Sequence, residues 1–128
     1  MYQIKTSDEM GRGLYAIEPI HDGKVIMDCE ILVLSENDTK IVNTTDLQYY
    51  TFKYNNNQDC LVLGDGEIFN HDDNANVIYE LIEVDGRKMM VFTALKFIKP
   101  GEQLFINYAQ DIQVNTDNYI NNKSLTGE

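Results

Sequence analysis

The sequence predicts a mainly β fold, of the β-rich α+β kind, organised as one domain over residues 1–128. Turn dipeptides recur at Asp22-Gly23, Asp65-Gly66, Asp85-Gly86 and Pro100-Gly101, and short segments rich in Val, Ile, Tyr and Phe lie between them. One pair of such segments flanks a two-residue turn and reads as a hairpin. The composition agrees, since 43% hydrophobic and 24% charged residues with only two prolines describe a chain that buries a core.

In chain order, Gly11-Arg12-Gly13 leads into a strand at residues 14–17, and a second strand is expected at 25–34. Residues 46–54 predict a short helix with Leu47, Tyr50 and Tyr54 on one face. The polar run at 55–59 predicts an exposed loop. Val77–Val84, Asp85-Gly86 and Arg87–Ala94 form the hairpin with a type I′ turn. A last strand is expected at 103–108, followed by an asparagine-rich tail at 111–128 that a ligand or a second chain would order. No internal repeat and no domain boundary is apparent.

Ten Lys and Arg against 21 Asp and Glu give a net charge of −11, which argues against direct nucleic-acid binding and favours a cationic partner. Cys29 and Cys60 lie far apart without CxxC spacing, so neither a disulfide framework nor a cysteine metal site is indicated. No apolar run exceeds four residues, and the expectation is a soluble intracellular protein without membrane span or signal peptide.

Three short patterns carry potential chemistry. Gly11-Arg12-Gly13-Leu14-Tyr15-Ala16 pairs glycines whose backbone can approach a ligand closely, although alone it equally describes a turn before a strand. Phe69-Asn70-His71-Asp72-Asp73-Asn74-Ala75-Asn76 is a polar cluster that alone would be a solvated connection. Pro100-Gly101-Glu102-Gln103-Leu104-Phe105-Ile106-Asn107-Tyr108 is a turn and a strand ending on tyrosine. Asp72, Asn74, Asn76 and Glu83 also fall on calcium-loop spacing. Against that, Val77 stands where the loop needs glycine and Glu83 falls inside the hairpin, so no metal is expected.

Together and in this order, the three patterns resemble the SET domain of protein-lysine methyltransferases. Gly11 and Gly13 match its first motif, Asn70, His71 and Asn76 its second, and Gly101, Glu102, Leu104 and Tyr108 its third. The likeness covers about residues 10–110. It is strongest to the minimal stand-alone SET proteins of large DNA viruses and some microbes, through Leu63-Gly64-x-Gly66-x-Ile68-Phe69-Asn70-His71. Asp72 and Ala75 replace the usual serine and proline of the second motif, and Asn107 and Ala109 flank Tyr108 where aspartate and glycine are common.

The resemblance implies several small curved sheets with short helices and a C-terminal pseudoknot. It implies a protein-lysine N-methyltransferase that uses S-adenosylmethionine on a basic protein substrate, a histone tail or another lysine-containing protein. Tyr108 would be the catalytic tyrosine, and Tyr50 would line the active site, with Tyr49 and Tyr54 as alternatives. Gly11, Arg12, Gly13, Asn70 and His71 would contact the cofactor, and the tail would complete the site, with Tyr119 over the adenine. Tyr79 and Ile106 would set the width of the lysine channel. A homodimer is expected, because a neighbouring chain can complete the peptide groove of so small a domain. The location would be the cytoplasm or, for a viral protein, the host nucleus. The competing reading is a catalytically silent acidic SET-like module that binds basic proteins.

Overall fold

A computed structural model describes residues 1–109. Strands dominate, in two sheets that share one core. β1 (Tyr2–Ser7), β2 (Gly11–Ala16), β9 (Gln103–Ile106) and β6 (Asn70–His71) lie side by side in that order in the first sheet. The second runs β4 (Thr51–Lys53), β5 (Asp59–Val62), β3 (Val25–Val33), β8 (Arg87–Ala94) and β7 (Val77–Val84). The helical parts are α1 (Glu36–Val42) and single 3₁₀ turns at Asp46–Tyr50 and Asp65–Ile68.

The hairpin forms at the expected residues, with β7 and β8 paired from Val77↔Ala94 to Val84↔Arg87. Asp85 and Gly86 both take positive φ, 52° and 79°, as a type I′ turn requires. The strands expected at 14–17, 25–34 and 103–108 are present as β2, β3 and β9. The helix expected over 46–54 is corrected: it is a 3₁₀ turn that stops at Tyr50, and the chain then extends into β4. No residue of that turn is buried, so packing does not reward a longer helix there. Tyr54 instead packs partly against the core, with the Lys88 ammonium 5.3 Å from its ring.

Four strands and one helix lacked a sequence signal. β1 is an edge strand with four exposed central residues, so it carries no inside-outside alternation. β4, β5 and β6 are too short for a period to emerge. α1 buries only Thr39 and is specified by its cap, where the Ser35 hydroxyl accepts from the Asp38 N–H at 3.0 Å.

Between the sheets an aromatic series links core to surface. Phe69 stacks on Phe92 at 4.5 Å, Phe92 lies 5.9 Å from Tyr79, and Tyr79 meets Phe52 edge-on at 5.4 Å. Gly66 is squeezed against this layer: a Cβ there would stand 2.6 Å from Val62 and 2.9 Å from the Phe92 ring. The 3₁₀ turn can therefore approach the core only with glycine at that position. Among the described residues no helix is long and apolar enough to cross a membrane.

Candidate active site

β9 is the organising strand of the site. It pairs antiparallel with β2 through Leu14↔Leu104 and Tyr15↔Gln103, and parallel with β6 through Asn70↔Phe105 and His71↔Ile106. All three sequence motifs thereby meet in one sheet. Gly13 permits the close approach, since a Cβ there would lie 2.5 Å from Gln103 Nε2 and 2.9 Å from Asn70 Nδ2. The Asn70 amide spans the junction and donates to the Arg12 carbonyl at 3.0 Å.

Asn76 extends the pairing beyond β6. It is buried, its Oδ1 accepts from the Phe105 N–H at 2.8 Å, and its Nδ2 donates to the Gln103 carbonyl at 2.9 Å. Its backbone N–H also reaches the Phe105 carbonyl at 3.2 Å. A side chain so engaged is unavailable as a calcium ligand, and Glu83 lies inside β7, so the calcium spacing has no structural counterpart.

Tyr108 stands two residues beyond the end of β9 and is held at three points. Its backbone N–H donates to His71 Nδ1 at 2.9 Å, its ring lies 5.0 Å from the His71 ring, and its hydroxyl donates to the Phe69 carbonyl at 2.7 Å. Because His71 Nδ1 accepts, its ring proton sits on Nε2, which donates to Asp73 at 2.8 Å. Asp73 thus fixes the imidazole that fixes the tyrosine. Burial raises the Tyr108 phenol above its ordinary range, so it stays neutral at physiological pH. Since its proton is committed to Phe69, the phenol oxygen presents lone pairs, and no donor, to an incoming group.

Two cavities flank this tyrosine. The larger, about 620 Å³, is walled by Tyr49, Tyr50, Phe52, Phe69, Tyr79 and Tyr108, with Lys53 and Glu67 beside them. The smaller, about 250 Å³, lies toward Met10, Arg12, Ile68 and Asn70. Tyr49, Tyr50, Glu67, Phe69 and Tyr108 line both, so the cavities share one wall. Tyr79 is almost fully buried, donates to the Asn107 carbonyl at 3.2 Å, and is pushed up to about 12, chiefly by burial.

The expected residues therefore divide into groups. Tyr108, Tyr50 and Tyr79 come together at the larger cavity, and Arg12 and Asn70 at the smaller. Tyr49 stands beside Tyr50 on the shared wall, whereas Tyr54 lines neither cavity. Gly13 and His71 support these walls without lining them, and Gly11 lines neither cavity. Ile106 is fully buried in β9 and lines neither cavity. Tyr119 lies outside the described residues. Glu67, Phe52 and Phe69 were not anticipated as site residues. The one available signal was Glu67 itself, a carboxylate set just before the apolar pair Ile68-Phe69.

Comparison with known proteins matches the family profile of the SET domain to residues 11–109. The chain is 30% identical over 112 residues to the histone-lysine N-methyltransferase of Schizosaccharomyces pombe described as specific for lysine 37 of histone H3, covering 86% of this chain and 74% of that one. Its structure resembles that of a Plasmodium falciparum protein described as a histone methyltransferase, with TM-score 0.69 and 23% identity over 87% of this chain and 99% of that one. It also resembles part of the Chaetomium thermophilum polycomb repressive complex 2, with TM-score 0.71 and 22% identity over 87% of this chain and 15% of that one.

Proposed function

The chain belongs to the SET-domain family, and from that premise we propose that it is a protein-lysine N-methyltransferase that takes its methyl group from S-adenosylmethionine and acts on a basic protein, a histone foremost. The observation that carries the reading is the wall shared by the two cavities, with Tyr108 in it. A transferase of this kind needs two reactants to enter separately and meet at one point, out of reach of water.

The smaller cavity suits the cofactor in chemistry. Arg12 and the Asn70 amide offer polar contacts, while Met10 and Ile68 offer apolar ones. Arg12 and Asn70 would hold the cofactor there, with His71 fixing the loop, and the bound cofactor would supply an activated methyl on a sulfonium. The rest of the chemistry falls to the protein.

The larger cavity suits a lysine side chain. Supplying a neutral amine at pH 7 from a group of pKa ~10.4 costs about 4 to 5 kcal/mol in water. An aromatic enclosure lowers that cost, because desolvation disfavours the ammonium. Tyr108 then orients the amine: its oxygen accepts an amine N–H, which leaves the nitrogen lone pair free to turn toward the smaller cavity. Tyr50 and Tyr79 confine the aliphatic stem. No strong base is required, and His71 is already committed to Tyr108 and Asp73.

The acidic surface would draw basic substrates toward the site. Self-association into a dimer belongs to the same proposal, and light scattering at working concentration tests it. The central experiment is calorimetric titration with S-adenosylmethionine, followed in the same preparation by methyl transfer to mixed core histones. Binding with transfer is the expected result. Binding without transfer would direct the search to a non-histone substrate. Absence of cofactor binding at millimolar ligand would leave the silent acidic module, which binds basic peptides only.

A further inference from the structure

Glu67 has no part in the mechanism above, yet it is the only carboxylate among the described residues that line either cavity. Its position is well fixed. The 3₁₀ turn that carries it is tied to β1 by the Tyr2 hydroxyl, which donates to Asp65 Oδ2 at 2.8 Å. Its own Oε1 accepts from the Val62 N–H at 3.0 Å. The other oxygen has no protein partner among the described residues: the ion pairs there are His71 with Asp73 and Arg87 with Glu30. Nor is any buried side-chain nitrogen or oxygen there left unsatisfied, so this second oxygen is open to solvent. The space Glu67 borders is the shared, aromatic wall of the two cavities.

We propose that Glu67 is the cation-recognising residue of the larger cavity: its open oxygen, on a residue that shares the cavity wall with Tyr50, Phe69 and Tyr108, selects an alkylammonium over a neutral group of the same length. This rests on the reading of that cavity as the lysine site and adds to it the means of substrate choice. Aromatic faces attract a cation through their quadrupoles, and a carboxylate gives a charge-assisted hydrogen bond. Neither preference is strong in water, but a partly desolvated cavity strengthens both. A neutral side chain entering the same space would leave the carboxylate without a counterpart. The same charge holds the proton on the ammonium and so opposes formation of the free amine. Glu67 thus acts in capture, and its contribution falls on substrate binding rather than on turnover.

The decisive variant is Glu67→Gln, because glutamine keeps an oxygen to accept from Val62 and loses only the charge. n-Butylammonium and n-butanol serve as probes, titrated into wild type and variant and followed by the backbone amide resonances of Phe52, Phe69 and Tyr108. Wild type should bind butylammonium about tenfold more tightly than butanol, and the variant should lose that preference. A wild type without the preference, or a Glu67→Gln variant that keeps it, overturns the proposal. Should the glutamine variant fail to fold, Glu67→Ala is read by the same criterion. With a methylated protein substrate in hand, Glu67→Gln should raise KM about tenfold without lowering kcat, and an unchanged KM overturns the proposal. A wild-type protein that discriminates the probes yet binds no S-adenosylmethionine at millimolar ligand would remove the transferase reading and leave the recognition role standing.

Discussion

Under the proposed function, Tyr108 concentrates the chemistry of the site in one hydroxyl. That hydroxyl donates to the Phe69 carbonyl while its oxygen faces the shared wall, so it serves fold and site together. Tyr108→Phe leaves the Phe69 carbonyl unpaired and should cost about 1 kcal/mol of stability. The ring keeps its contact with His71 and the backbone keeps its bond to Nδ1, so cofactor binding should persist. Methyl transfer should fall at least about a hundredfold, because the amine loses its orienting acceptor. Thermal unfolding, calorimetry and a transfer assay on one preparation separate these effects, and an active variant would assign the role to another tyrosine. Glu67 is the converse case. Burial raises its carboxyl above the ordinary range, so the group favours the fold when protonated and works against it once pH rises past its folded pKa. Glu67→Gln should therefore be at least as stable as wild type near neutral pH, as read from the unfolding midpoint.

At the scale of elements, β9 depends on a side chain that imitates a strand. Asn76 gives and takes the hydrogen bonds that a longer β6 would supply. Asn76→Ala strips partners from the Phe105 N–H and the Gln103 carbonyl and should destabilise by about 2 to 4 kcal/mol, measurable as a shift in denaturant midpoint. The same elements mark how far the sequence was legible. The β7–β8 hairpin could be read because alternation and turn chemistry agree within one contiguous stretch. β1 and β6 could not, since one is exposed along its middle and the other is two residues long, specified only by partners distant in the chain. In the site, the motif residues were legible as letters. The approach of Glu67 and Phe69 was not, because it depends on the tight seat of Gly66 against Phe92, a tertiary contact without a local signature.

For the whole molecule, the partly buried Tyr2 phenol, the buried Tyr79 phenol and the buried Cys60 thiol, itself raised to about 12 chiefly by burial, shape behaviour in alkali. Tyr2 and Tyr79 are each raised to about 12, mainly by burial and, for Tyr2, also by its bond to Asp65. Both stay protonated in the fold at a pH where the unfolded chain releases its tyrosine protons, near ~10. The sign is fixed by that difference: their contribution is fully present below pH ~10 and is lost as pH rises toward about 12. Denaturant midpoints should accordingly hold steady to about pH 8, begin to fall as the unfolded chain releases the Cys60 proton, and fall more steeply above about pH 10, with tyrosinate absorbance appearing together with unfolding.

The position of β9 has a consequence in time as well as in space. The strand that completes the site is the last in the described chain, and its neighbour β2 lies near the other end, with Leu14 opposite Leu104. The hairpin, by contrast, closes between near neighbours. Pairings so distant in sequence form slowly, because the intervening loop must be closed before any contact rewards it. During refolding the β7–β8 hairpin should gain protection from hydrogen exchange first, and cofactor binding should return only in a later phase. On the ribosome the same order applies: until β9 and Tyr108 have emerged, a nascent chain can hold much of the core and still lack the wall that the two cavities share.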